Sequence, residues 1–221
     1  DWHVYHRSTD SSAPEDYILH TNTNDARSDE TIFNDTAPTS SVFSVSDDIK
    51  VNGSGGNTYV AYLFAHNNND GGFGEPGDQD IIKCDTFTNS GSTVSVNLGF
   101  EPQFIMFKNA SSTGSWFVVD SMRGIFDGST DRYLTWDGNG AEANLNAYTL
   151  TPTGFDIDGS VLGNGDYIYM AIRRGGMQTP TAASDVFSID TKGSSAPYFD
   201  SNHIVDMALV KSAGATGDWY N

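Results

Sequence analysis

A short apolar run, a lysine, a polar turn and a tryptophan recur in this chain at one spacing. Gly99-Phe100-Glu101-Pro102-Gln103-Phe104-Ile105-Met106-Phe107-Lys108 leads to Gly114-Ser115-Trp116-Phe117. His203-Ile204-Val205-Asp206-Met207-Ala208-Leu209-Val210-Lys211 leads to Gly217-Asp218-Trp219-Tyr220. Lysine and tryptophan are eight residues apart in both. Asp1-Trp2-His3-Val4-Tyr5 adds a third tryptophan strand. Downstream, Tyr17-Ile18-Leu19 before Asn24-Asp25-Ala26 parallels Tyr133-Leu134-Thr135 before Asn139-Gly140-Ala141, with His20 opposite Trp136. Tyr59-Val60-Ala61-Tyr62-Leu63 parallels Tyr167-Ile168-Tyr169-Met170-Ala171. The offsets are 114, 108 and 103, a drift that duplication with loop insertions produces.

What repeats is β structure. Stretches rich in Val, Ile, Tyr, Phe and Thr alternate with Gly/Asn/Asp/Ser clusters from end to end. Strands are expected at 2–6, 17–20, 42–45, 81–84, 93–96, 104–107, 116–119, 133–136, 155–157 and 167–172. Residues 59–65 are apolar throughout and read as a strand buried on both faces. No segment of eleven residues carries a 3.6 period, and the best helical candidate, 120–125, is short. Acids favour turns over helices, with 24 Asp against 5 Glu. Short strands at this spacing predict an all-β chain of antiparallel, jelly-roll-like β-sandwiches.

The alignment predicts five stretches. Residues 1–66 hold the C-terminal part of a first repeat, 67–79 a Gly/Asn/Asp linker, and 80–175 a complete second repeat. Residues 176–183 form a second linker and 184–221 the N-terminal part of a third repeat. A half-sandwich cannot cover its own apolar face and leaves strand edges unpaired. Both partial repeats are therefore expected to be completed by further chain or by another copy. The competing architecture is one 221-residue jelly roll whose similarity is the monotony of β sequence. The chain lacks an initiating Met and a signal-like segment, and is expected to be processed or part of something longer.

Charge removes several partner classes. Acids outnumber bases 29 to 11, for a net charge of −18, which repels phosphate backbones and anionic lipid. No apolar run approaches the ~18 residues needed to span a bilayer. One cysteine, Cys84, excludes an intrachain disulfide framework.

Several phrases carry a family likeness: residues 59–65, Gly71-Gly72-Phe73-Gly74, Asp80-Ile81-Ile82-Lys83-Cys84, Leu98-Gly99-Phe100-Glu101-Pro102-Gln103 and Tyr167-Ile168-Tyr169-Met170-Ala171-Ile172-Arg173. The chain resembles a repeated β-domain of uncharacterised function found in tail-fibre and other virion structural proteins of tailed bacteriophages, largely marine phages and cyanophages. The likeness covers about 60–220, with 1–66 as a partial copy. Its strongest marks are the Gly-Phe-Glu-Pro turn, the Lys-to-Trp spacing and Asp120-Ser121-Met122-Arg123. The first copy has His6-Arg7-Ser8-Thr9 in that last place, so no role of Asp120 or Arg123 carries over there. The resemblance implies no catalytic residue. It implies a place in the virion, outside the cell, and a job in structure or attachment.

Residue chemistry for catalysis is thin. His3 and His6 lie three apart, which on a strand points them to opposite faces and spoils joint zinc coordination. Glu15, Glu30, Glu75, Glu101 and Glu142 fall in loops without the paired placement that glycoside hydrolysis needs. Cys84 sits in an apolar strand and reads as an inert buried thiol. For calcium, Asn68, Asp70, Asp78 and Asp80 offer hard oxygen ligands, though their spacing does not fit an EF-hand, and a solvated linker explains them as well. Trp116, Trp136, Tyr133, Tyr148, Trp2 and Tyr17 could stack on sugars, but Trp2 and Trp116 occupy equivalent positions and read as core. A glycan site is therefore sought first at Trp136, Asp137 and Asn139.

These readings predict a non-enzymatic virion component, such as a tail fibre or spike, that needs no cofactor, with calcium as the one candidate ion. Its partners would be further copies of itself, other virion proteins, or a host surface glycan, with homo-oligomers expected and neither nucleic acid nor membrane insertion. A carbohydrate-binding adhesin is the second reading, and a polysaccharide-degrading enzyme the third.

Overall fold

The computed structural model describes residues 2–66, 81–125 and 131–175, together with 182, 187–191, 193–195, 199, 208 and 210. The chain divides into two compact units, Asp1–Met177 and Gln178–Asn221.

Among the described residues the regular structure of the first unit is almost all antiparallel β-strand, as expected, and β-sandwich-like. The strands are β1 (His3–Val4), β2 (Tyr17–His20), β3 (Ser28–Asp29), β4 (Ile82–Asn89), β5 (Val94–Asn97), β6 (Pro102–Asn109), β7 (Trp116–Asp120), β8 (Asp131–Thr135), β9 (Ala143–Leu145), β10 (Tyr148–Thr151), β11 (Gly154–Ile157) and β12 (Gly165–Arg173). One four-residue helix, α1 (Ile49–Asn52), is capped by the Asp48 carboxylate, which accepts from the Lys50 amide. A six-stranded sheet runs β4-β12-β6-β7-β8-β9, and two three-stranded sheets run β10-β11-β5 and β1-β2-β3.

The six-stranded sheet has apolar residues on both faces, and β12 explains how. Tyr167, Tyr169 and Ala171 point one way into a core with Phe87, Phe107, Val119, Phe155 and Ile157. Ile168 points the other way, to Leu19, Ala110 and Trp116. A strand with two covered faces must be apolar at every position, because alternation only assigns residues to faces. The first core is largely aromatic. Phe87 stacks on Tyr167 with centroids 5.0 Å apart, and Phe155 meets Tyr169 edge-on at 5.7 Å. Gly154 is where β11 presses closest on β5, since a Cβ there would run into the Val96 carbonyl.

The pairing of β1-β2-β3 reproduces that of β7-β8-β9 residue for residue. His3 and Val4 face His20 and Leu19, while Phe117 and Val118 face Thr135 and Leu134. Tyr17 and Ile18 face Asp29 and Ser28, while Arg132 and Tyr133 face Asn144 and Ala143. The flanking contacts follow. The Thr21 amide donates to the Trp2 carbonyl as the Trp136 amide donates to Trp116. The Trp2 amide donates to Asn22 Oδ1 at 3.4 Å, as the Trp116 amide donates to Asp137 Oδ1 at 2.8 Å. This register sets Thr21 opposite Trp136 and His20 opposite Thr135. The sequence alignment, which placed His20 opposite Trp136, is thus corrected by one residue in this block.

Two expected strands are absent. Residues 42–45 pair with no strand, and Val42 and Phe43 are exposed. Residues 59–65 lie outside any sheet, with Val60, Tyr62 and Leu63 about 70% exposed, not buried on both faces. The reason is partnership. In 81–175 the matching strands β11 and β12 lean on β5, and on β4 and β6, which all precede β7. Residues 1–66 open on the β7-like strand β1, so neither segment has such neighbours among the described residues. The linkers at 67–79 and 176–183 and the partial repeat at 184–221 lie wholly or largely outside the described residues.

Candidate functional site

The junction between the β1-β2-β3 sheet and the six-stranded sheet is the most elaborated polar feature of the unit. Trp116 is 3% exposed on β7, and its indole N–H donates to the His20 carbonyl at 2.8 Å. A buried indole needs an acceptor, and the end of β2 supplies it. Lys108 is fully buried at the end of β6. Its ammonium donates to the carbonyls of Asn109 at 2.7 Å and of Asn24 and Ser112, both at 3.4 Å. Burial pushes this amine down to about 8, against the opposing pull of Asp137 and Asp25. The Arg27 and Gly114 amides close the same junction on the Ala110 and Asn24 carbonyls. The lysine and tryptophan of the recurrent motif are therefore one device, a charged clamp and an indole peg holding the loop after β2.

His6 anchors the other side. Its Nε2 donates to the Tyr169 carbonyl at 3.0 Å, and its Nδ1 accepts from the Ser8 amide at 3.1 Å. One nitrogen donates and the other accepts, which is the neutral imidazole. Burial drives this histidine down to about 4, overcoming the Tyr169 carbonyl and Asp85, which favour the charged form. His66 Nδ1 accepts from the Cys84 amide nearby. Cys84 is buried with its thiol pushed up to about 11 by desolvation, an unreactive state at neutral pH.

The second feature is an exposed apolar ribbon. Tyr59 is 44% exposed, Val60 69%, Tyr62 70%, Leu63 73% and Phe64 53%. The Trp2 ring, itself half-exposed, lies 5.6 Å from the Tyr62 ring. Isolated apolar residues on a surface mean little, but five within six positions, joined by a tryptophan, make a patch.

The residues singled out from the sequence scatter. Trp136 is 59% exposed in the turn after β8, and Asn139 is exposed nearby. Asp137 is committed to the Trp116 amide, so it fixes the turn rather than standing free. Asp120 and Arg123 form an ion pair at 2.9 Å, extended by Glu142 at 3.7 Å and then by Arg132 at 3.4 Å. With Gln103, Phe104 and Met122, that pair lines a shallow open depression of about 510 Å³. Asn68, Asp70, Asp78 and Asp80 lie outside the described residues. Among the described residues no group of three or more His, Cys, Asp or Glu is placed to hold a metal ion, and no helix is long and apolar enough to cross a membrane.

Sequence reasoning missed several buried polar groups, Asn89, Asn109, Asp131 and His6 among them. Asp131 is fully buried and accepts from the Ala147 and Tyr148 amides at 3.2 and 3.0 Å, joining β8 to β10. His6 was read only for metal binding. Asp131 meets Asp16 only in the structural register, since the sequence alignment set Arg132 opposite Asp16, and His6 has no histidine counterpart in 81–175.

The model for Domain of unknown function (DUF7483) matches residues 1–174. The chain belongs to this family. The DUF7483 match runs across 66–80 and ends within three residues of the compact unit's boundary at Met177. No curated protein and no solved structure matches the chain.

Proposed function

We propose that this DUF7483 chain is a structural component of a bacteriophage virion, part of a tail fibre, spike or similar appendage, built from tandem β-sandwich modules. The observation that carries the reading is the identical register of β1-β2-β3 and β7-β8-β9 at a nearly constant offset. Register is set residue by residue through hydrogen bonds and facing side chains, so two sheets of unrelated origin have little reason to share it. The flanking hydrogen bonds from Trp2 and Trp116 add to that support. On this reading 1–66 is the later part of one module and 80–175 a whole one. The junction at Trp116, Lys108 and His6 is then a module-to-module contact. The function is mechanical: modules stack, hide one another's apolar faces and edges, and hold a rod together without disulfides. A surface at net charge −18 keeps such a rod soluble.

The experiment is immunogold labelling of purified particles with antibody against the full chain. Gold on a tail appendage is the expected result; particles that carry no label would overturn the assignment.

One observation favours a second reading, a glycan-binding adhesin. Trp136 presents its indole to solvent beside an Asp/Gly/Asn turn, a surface that can stack on a sugar face. A glycan array on the full chain and its Trp136→Ala variant separates the two roles.

A further inference from the structure

We propose that the junction is an acid-operated latch: protonation of His6 and His66 releases residues 1–66 from the six-stranded sheet while 81–175 stays folded. It needs only the junction geometry and is independent of the virion assignment.

The histidines lie on one side of the junction. His3, His6, His20 and His66 all fall within residues 1–66, and 81–175 contains none. Two of them bond across to the sheet. His6 Nε2 donates to the Tyr169 carbonyl on β12 while its Nδ1 accepts from the Ser8 amide. His66 Nδ1 accepts from the Cys84 amide on β4 at 3.2 Å. A backbone amide donates and never accepts, so both Nδ1 atoms must be unprotonated for these bonds to exist. A proton on either one sets a donor against a donor.

The groups around His6 do not cancel this. Burial is the largest influence and holds it at about 4, with Arg7 and His66 acting in the same direction. The Tyr169 carbonyl and Asp85 on β4 favour the charged ring and are outweighed. Cys84, beside them on β4, stays a neutral thiol. In water His6 returns to the ordinary 6.5, so docking weakens about 300-fold between pH ~6.5 and pH ~4 through this residue alone. Lys108, at about 8 and facing Asp137 and Asp25, is charged across that whole window, and its clamp does not change.

The two halves can part because the larger core does not include the first. Its fifteen buried residues, from Phe87 to Ala171, all belong to 81–175. The core shared across the junction is small: Leu19 with Ala110, Trp116 and Ile168, and Val4 and Met106 against them. An element with few buried contacts opens at a lower free energy than the unit as a whole.

Cys84 reports the opening. It is the chain's one cysteine, is buried, and faces Met170, which faces Met106 on the side of the shared core. The test is the rate at which an aromatic disulfide that remains reactive in acid modifies Cys84 in the full chain, divided by the rate in the urea-unfolded chain at the same pH. That ratio should rise about 300-fold or more from pH ~7.5 to pH ~4. At pH ~4 the labelling should depend on urea less steeply than global unfolding does, because less surface is exposed. The double variant His6→Gln, His66→Gln should hold the ratio level over the same range. A flat ratio in the unsubstituted chain would overturn the latch. A urea slope equal to that of global unfolding would overturn it too, since the whole unit would then be opening. An equal rise in the double variant would assign the release to other groups. The first two readings need no substitution, so a variant that fails to fold leaves them decisive.

Discussion

The indole N–H of Trp116 reaches the carbonyl of His20, 96 residues earlier in the chain, at 2.8 Å. That bond ties the back of the six-stranded sheet to the sheet formed by the first thirty residues. It is made in the smaller core, where Trp116 packs with Leu19, Ala110 and Ile168. Trp116→Phe keeps a ring in the site but strands the carbonyl, and should cost about 1–3 kcal/mol in chemical denaturation. Trp116→Ala also opens a cavity and should cost about 3–5 kcal/mol. A Trp116→Phe variant as stable as the parent would show that the bond contributes nothing.

Lys108 contributes through its three carbonyl partners. Lys108→Met preserves most of the stem and removes every donor, leaving the Asn24, Asn109 and Ser112 carbonyls to find other partners. A loss of about 1–3 kcal/mol is expected. Proteolysis should then begin in the loop after β2, ahead of the rest of the unit. Unchanged stability and an unchanged first cleavage site would remove the clamp from the account.

His6 should make the protein acid-sensitive in a defined window. Its folded value of about 4 lies below the ordinary 6.5, so the unfolded chain binds the extra proton first as pH falls. The stabilisation from a neutral His6 is complete above pH ~6.5 and is lost progressively down to pH ~4, at about 1.4 kcal/mol per pH unit. His6→Gln, which cannot titrate, should flatten the stability profile between those limits relative to the parent. Parallel profiles for parent and variant would rule the histidine out.

Trp136 tests the adhesin reading separately from folding. Its ring is 59% exposed, so Trp136→Ala should change stability by no more than about 0.5 kcal/mol. If the chain binds a glycan there, binding should fall at least ten-fold without a change in melting temperature. Glycan binding that survives the substitution would move the site elsewhere.

The sequence made the pairing strands legible where both neighbours are present. β6, β7, β8, β11 and β12 lie where alternation and turn residues place them, because a strand between partners obeys its own pattern. Residues 42–45 and 59–65 carry the same pattern, yet they are exposed and unpaired among the described residues. Hydrophobic sequence states what a segment can bury, while the partner decides whether it does. The site was less legible for a different reason. Trp116 and Lys108 announced themselves by spacing, but the burial of Lys108 came from carbonyls gathered from the loop after β2 and from the end of β6 with its following turn. The neutral state of His6 likewise depends on Tyr169 and Ser8, and no local window of sequence joins β1 to β12.

Hydrogen exchange of residues 59–65, read by mass spectrometry across a concentration series, addresses the uncompleted module most directly. If this ribbon is a β12 awaiting its neighbour, its amides should exchange freely in dilute protein. They should gain protection as copies associate. Exchange that stays equally fast at every concentration, while the chain is shown to associate by sedimentation, would mean that copies meet through another surface and that the ribbon is not a module's missing edge.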